Sequence, residues 1–73
     1  MNIFELATER LTDNGMTPED ADAMLMWFGG RQVGRLWGWS DEAQALTERQ
    51  AEQIDTAAVA WINRGKPTVT VER

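Results

Sequence analysis

The chain has 73 residues, a net charge of −5, no Cys and no His. A domain of this length buries about 60% of the surface that its unfolded chain exposes, and such domains usually need a disulfide, a metal or self-association. The absence of Cys excludes a disulfide, and the absence of Cys and His removes the usual zinc ligands. We therefore expect no metal and no cofactor, and a core stabilised by dense aromatic packing or by dimerisation.

The inventory of reactive side chains argues against an enzyme. Ser40 and Lys66 are the only Ser and the only Lys, and the chain has no Tyr, so a nucleophile would have only carboxylates as its base. Residues 1–5 lack the basic and apolar regions of a signal peptide, and an apolar run such as residues 23–28 is too short to cross a bilayer. We expect a cytoplasmic protein that has no catalytic residues and does not bind membranes.

The first two helices are predicted from their caps. Asn2 and Glu5 have the spacing of a capping box, and Gly15 suits the left-handed position after a helix end. Thr17 and Pro18 then supply an N-cap hydroxyl and a Pro in the first turn. These signals predict helices over residues 3–14 and 18–28. Their apolar arcs are Ile3, Phe4, Leu6, Ala7 and Leu11 in the first helix, and Ala21, Met24, Leu25, Trp27 and Phe28 in the second.

A third main helix is predicted over residues 47–64. Thr47 and Gln50 have capping-box spacing, and Gly65 followed by Pro67 stops the helix. Before it, Ser40 reads as the N-cap of a short helical turn reaching Leu46. The apolar face of the last helix comprises Ala51, Ile54, Ala57, Ala58, Trp61 and Ile62. The fold class is therefore all-α, a small bundle of three main helices with an irregular or short-helical segment at 29–46.

The C-terminal residues are expected to lie outside the domain. We assign residues 1–66 to a single helical domain and residues 67–73 to an extended or disordered tail. Thr68 to Val71 alternate like a strand but have no partner strand within the chain. Two copies could pair through them in a homodimer, the valines could fold back beside Trp61, or the terminus could fray.

Residues 29–39, here called the Trp/Arg segment, contain four of the six Gly, two of the four Trp and two of the seven basic residues. Gly weakens helices, so a short helix over 31–37 is only one alternative. Trp and Arg are enriched in binding hot spots, whereas Trp and Arg together can also stack on single-stranded nucleic acid. Core packing is the third interpretation, and we expect one of the two Trp in the core and the other at an interface. The predicted protein-binding residues are Arg31, Arg35, Trp37 and Trp39.

Negative charge is concentrated in the predicted helices. Residues 1–28 carry six acids and one Arg, residues 41–62 carry five acids and one Arg, and the Gly-containing pieces between and after them are basic. Acidic helices argue against direct binding of double-stranded DNA, which needs cations to displace counterions. A sharper hypothesis is that an acidic edge mimics phosphates towards a basic target. That acidic edge consists of Glu48, Glu52 and Asp55, spaced i, i+4 and i+7.

Residues 11–21 resemble the turn of a helix-turn-helix motif, with a Gly turn, an apolar residue and a hydroxyl cap before a second helix. The resemblance would make that second helix a reader of DNA. Its first turns carry Glu19, Asp20 and Asp22, which would repel phosphates. An ordinary turn between two helices is therefore the favoured interpretation.

The function predicted from these features is that of a small acidic protein-binding module with a Trp/Arg surface. Short acidic chains of this kind are typical of phage or mobile-element proteins that inhibit or modulate a host protein. The partner would be a protein that the sequence does not identify. The alternatives are a self-associating structural or assembly subunit, and a single-stranded nucleic-acid binder or acidic nucleic-acid mimic.

Overall fold

The computed structural model describes residues 1–29 and 34–69 and confirms an all-α fold. Helices α1, α2 and α4 pack on one another as a three-helix bundle, and a single turn, α3, lies between α2 and α4. Within the described residues, no helix combines the length and apolarity needed to cross a membrane. The helices are α1 (Ile3–Asp13), α2 (Pro18–Phe28), α3 (Gly34–Trp37) and α4 (Glu48–Asn63).

The predicted helix starts are confirmed by their hydrogen bonds. Asn2 Oδ1 accepts the Glu5 N–H at 2.8 Å, and the Glu5 carboxylate accepts the Asn2 N–H at 3.4 Å. Thr47 and Gln50 form the same reciprocal pair at α4, with distances of 3.1 and 2.9 Å. Thr17 caps α2 through its hydroxyl. Each cap satisfies an N–H that the helix itself leaves without a partner.

The predicted ends of α1 and α4 are confirmed at Gly15 and Gly65, which have φ angles of +99° and +83°. This left-handed backbone strains residues that carry a Cβ but not Gly. Beyond Gly65, the Lys66 N–H donates to the Trp61 C=O at 3.0 Å, and Trp61 Nε1–H donates to the Pro67 C=O at 2.8 Å. The chain therefore remains attached to α4 as far as Pro67.

The core takes side chains from all three main helices, largely from the predicted arcs. One assignment is wrong, because Ile62 is 50% exposed. The buried side chains of α4 lie in a narrow stripe along the helix. With 100° of rotation around the helix axis per residue, Ile62 lies roughly 90° from the centre of that stripe and therefore outside it. The core residues are Ile3, Ala7, Leu11, Ala21, Met24, Leu25, Ile54, Ala57, Ala58 and Trp61.

The connection between α3 and α4 contradicts a second prediction. Ser40 was expected to cap a helical turn reaching Leu46, but residues 38–46 form turns and non-helical backbone, and Ser40 is exposed. The reason is a contact between this connection and the N-terminal end of α1. The first N–H groups of a helix lack acceptors within that helix, and this connection supplies acceptors for two of those of α1.

These two hydrogen bonds fix the connection on the start of α1. The Phe4 N–H donates to the Trp39 C=O and the Ile3 N–H donates to the Asp41 C=O, each at 3.1 Å. An antiparallel bridge joins the same two segments. The third N–H, that of Glu5, donates to the side chain of Asn2. Every backbone N–H in the first turn of α1 therefore has an acceptor. In a helical turn at 40–46, the Asp41 carbonyl would instead accept a hydrogen bond from within that turn.

Candidate functional site

Four aromatic rings form a cluster where α1, α2 and α3 meet. Trp39 lies at its centre, with ring centroids 6.0 Å from Phe4, 6.4 Å from Phe28 and 5.3 Å from Trp37. Trp37 also contacts Phe28 at 5.4 Å. All four contacts are edge-to-face, which is a favoured geometry for aromatic pairs. Trp39 thus links the connection after α3 to both α1 and α2.

Gly29 provides the space for the Trp39 indole. A Cβ at position 29 would lie 3.0 Å from the indole Cε2 and closer still to Nε1. Contacts that short do not occur between packed atoms, so a side chain at position 29 would displace the ring. Gly29 therefore has a packing role in addition to its place at the end of α2. Trp39 acts mainly as a packing residue.

An open apolar groove, here called the α2–α4 groove, lies beside this cluster. It has a volume of about 820 Å³ and runs between the end of α2, α3 and one side of α4. Its polar side is formed by Thr47, Arg49, Gln50, Glu52, Gln53 and Thr56. Its apolar walls are formed by Trp27, Phe28, Leu36, Trp37, Ala57 and Ala60.

Towards its C-terminal end α4 presents only the small side chains of Ala57 and Ala60 to the groove, whereas its earlier turns present polar side chains. Ala57 and Ala60 are three positions apart and so lie on one side of the helix. They face large rings from α2 and α3, which cannot fill the space alone. At the mouth of the groove Leu36 is 80% exposed, whereas Trp37 beside it is half-buried. An exposed large aliphatic side chain at an apolar hollow is typical of an interaction site.

The C-terminal end of α4 contacts the wall of the groove. The Arg64 guanidinium lies over the Trp27 ring, 5.7 Å from its centroid. Such cation–π contacts contribute roughly 0.5–1 kcal/mol at exposed sites. This contact helps to hold the half-buried Trp27 ring against the end of α4.

The structure separates the two Trp of the predicted protein-binding surface. Trp37 lines the groove, and Trp39 packs behind it against Gly29. Both are half-buried, so neither is a core residue in the strict sense. Arg31 lies outside the described residues, as does the side chain of Arg35, and their role stays a prediction. Sequence reasoning missed Leu36 as a site residue, although it lies within the short helix that is one alternative for residues 31–37.

The acidic edge is only partly open. Asp55 accepts two hydrogen bonds from Arg10, from Nε at 2.8 Å and from Nη2 at 2.6 Å. These bonds lower the pKa of Asp55 and raise the pKa of Arg10, while desolvation opposes both shifts. Glu48 and Glu52 are exposed and have no ion-pair partner in the described part of the chain. Phosphate mimicry by this edge stays a prediction, for which Glu48 and Glu52 are the two acids without an ion-pair partner among the described residues.

Comparison of the chain with protein-family models, with curated proteins and with solved structures gave no match. Across residues 1–29 and 34–69, no three His, Cys, Asp or Glu side chains come together as a metal site.

Proposed function

We propose that this chain is a small protein-binding module whose α2–α4 groove receives an apolar segment of a partner protein. The observation that carries the proposal is Leu36, 80% exposed at the mouth of an apolar hollow of about 820 Å³. Burying a Leu side chain contributes about 1.5–3 kcal/mol. A partner that covers Leu36 and fills the hollow would gain this contribution together with contacts to the aromatic wall.

The dimensions of the groove favour a helix as the bound element. It follows α4 from Thr47 to Ala60, which at 1.5 Å per residue is about 20 Å. A helix of three to four turns with apolar side chains on one face would fit this length. Binding would cover that face of the partner and so block its other contacts. We propose on this ground that the chain inhibits or modulates the protein that it binds. Short acidic chains with such a role are typical of phages and mobile elements, whose target is a host protein.

The experiment compares Leu36→Asp with the wild-type chain. A partner is first captured from the host lysate on the immobilised wild-type chain and then purified. Leu36→Asp should bind it at least about 30-fold more weakly, since removing a hot-spot side chain costs about 2 kcal/mol or more. The measurement is a titration by calorimetry at a temperature where both chains are folded.

The matched control is Val59→Asp, because Val59 is 59% exposed and lies on another side of α4. It should bind the partner as the wild-type chain does. Equal affinity of Leu36→Asp and the wild-type chain would remove the groove as the binding site. A complex that weakens steeply with salt in all three chains would instead indicate phosphate contacts.

The nucleic-acid alternative has less support from the geometry. A stacking platform presents open ring faces to the bases. Trp37 and Trp39 instead meet at 5.3 Å with their planes 74° apart, and Trp39 also contacts Phe4 and Phe28.

A further inference from the structure

The charged and apolar side chains that α4 presents to the α2–α4 groove lie at different points along the helix. Arg49 and Glu52 line the groove near the start of α4, whereas Ala57 and Ala60 line it towards the C-terminal end. Glu52 and Ala60 are eight residues apart, which at 1.5 Å per residue is about 12 Å, or about two helical turns. A helix lying in the groove would therefore meet charge at one end of α4 and apolar side chains at the other.

Glu52 is the acid that lines this groove among the described residues. Its side chain is exposed, and it has no ion pair in the part of the chain that the structure describes. By contrast, Asp20, Glu42 and Asp55 are each paired with a positive group of the chain itself. The charge of Glu52 thus remains available to a positive group on whatever occupies the groove.

The aromatic wall of the groove also favours a positive group. The faces of aromatic rings carry partial negative charge, and a cation within about 6 Å of a ring centroid is attracted to it. The Arg64 guanidinium, 5.7 Å from the centroid of the Trp27 ring, already makes such a contact. Phe28 and Trp37 line the groove opposite α4. A basic side chain in the groove would thus have aromatic rings on one side and the Glu52 carboxylate on the other.

Arg49 is the opposing charge, and its position restricts where a basic residue can bind. It lies three residues before Glu52, nearly one turn closer to the start of α4. No ion pair joins Arg49 to Glu52 in the described part of the chain. The net charge of −5 still attracts a basic partner at longer range. A basic residue of the partner is therefore best placed beside Glu52 and about a turn away from Arg49.

Building on the proposed function, on which this inference rests, we propose that the occupant of the α2–α4 groove is a basic amphipathic helix of the partner protein. A lysine or arginine at the border of its apolar face pairs with Glu52. Its apolar side chains cover Leu36 and pack on Ala57 and Ala60. The basic residue lies about two helical turns from the apolar residue that packs on Ala60, as the spacing along α4 requires.

The probes are three synthetic helical peptides of about 15 residues, the length that fits the groove. They share one apolar face of leucines and differ only at the positions that border it, which are all Lys, all Gln or all Glu. Their helix content is matched by circular dichroism, and binding to the full chain is titrated by calorimetry at 0.15 M salt. The Lys peptide should bind the wild-type chain at least about tenfold more tightly than the Glu peptide, with the Gln peptide between them.

The sign and place of the charge are tested by substitutions that each change one charge. Glu52→Gln should weaken the Lys peptide by about two- to fivefold, the range expected for an exposed ion pair. Arg49→Gln should tighten it by about twofold, because a like charge is removed. The matched control is Glu19→Gln, since Glu19 is an exposed acid at the end of α2 far from the groove. It alters the net charge as Glu52→Gln does and should leave the affinity within about 1.5-fold of wild type.

The failure of this proposal can be distinguished from failure of the proposed function through Leu36→Ala, which removes an apolar contact without adding charge. It should weaken the Lys and Gln peptides alike, at least about fivefold. If it does so while the Lys and Glu peptides bind equally, or while Glu52→Gln has no more effect than Glu19→Gln, the basic helix is overturned and the groove remains a binding site. If no peptide binds, or Leu36→Ala changes nothing, both the basic helix and the groove are overturned.

Discussion

Replacing Trp39 with alanine is expected to lower the free energy of unfolding by about 3 kcal/mol, in the range found for large aromatic truncations. The Trp39 ring contacts Phe4, Phe28 and Trp37 and lies directly over Gly29. Its loss leaves a cavity at the junction of α1, α2 and α3. Since small domains are stable by only about 5–15 kcal/mol, the effect is large. Urea unfolding followed by circular dichroism measures it.

The control for Trp39→Ala is Leu36→Ala, three residues earlier and 80% exposed. Its stability should stay within about 0.5 kcal/mol of wild type, as for most surface substitutions. Gly29→Ala should also destabilise the domain, because its Cβ would displace the same indole. If Trp39→Ala were as stable as wild type, Trp39 would not have the packing role assigned to it.

Replacing Trp61 with alanine should have a larger effect, about 4 kcal/mol. Trp61 is 1% exposed and lies in the core, and its Nε1–H donates to the Pro67 C=O at 2.8 Å. The substitution therefore removes core packing and releases the residues after Gly65 from α4. Guanidinium unfolding, monitored by circular dichroism, gives the change in free energy.

Two further variants separate the contributions of Trp61. Trp61→Phe keeps a ring but loses the N–H donor and some volume, so it should cost about 1–2 kcal/mol. Val59→Ala, on the same helix but 59% exposed, is the matched control and should change stability by less than about 1 kcal/mol. A Trp61→Ala chain that unfolds at the same denaturant concentration as Val59→Ala would contradict the assignment of Trp61 to the core.

The helices could be predicted from the sequence because their signals are local. The capping boxes of Asn2 with Glu5 and of Thr47 with Gln50 each lie within one helical turn. The stops at Gly15 and Gly65 depend on the conformation of a single residue. Apolar periodicity then identified the buried side of each helix. Ile62 was misassigned because periodicity alone does not give the width of the buried stripe.

The connection at 38–46 could not be predicted because its partners are distant in sequence. Ser40 ahead of two acids is a valid local cap pattern, but the backbone bonds of Trp39 and Asp41 to α1 decide the structure. The pair of Arg10 and Asp55 is likewise separated by 45 positions. Tertiary contacts of this kind override local propensity, and no pattern within a helical turn indicates them.

The candidate site was predicted in part. Composition identified the Trp/Arg segment, and Trp37 does line the groove. Composition did not predict that Trp37 lines the groove whereas Trp39 packs behind it. The position of Trp39 depends on the space that Gly29 leaves for its ring. Leu36 was not predicted as a site residue, since exposure is a property of the packed structure. The groove itself depends on how α2, α3 and α4 are arranged.

Residues 39–43 are fixed on the start of α1, and this places α3 and its Leu36 at the groove. The most direct measurement is amide hydrogen exchange at Ile3 and Phe4, whose N–H groups donate to the Asp41 and Trp39 carbonyls. Glu48 and Arg49 are the matched controls, at the same first two positions of α4.

Within the described residues, the amides of Glu48 and Arg49 have no acceptor. After correction for intrinsic rates, Ile3 and Phe4 should exchange at least about tenfold more slowly than these controls, because their exchange requires the connection to open. Exchange at Ile3 and Phe4 as fast as at Glu48 and Arg49 would show that the connection is not fixed on the start of α1.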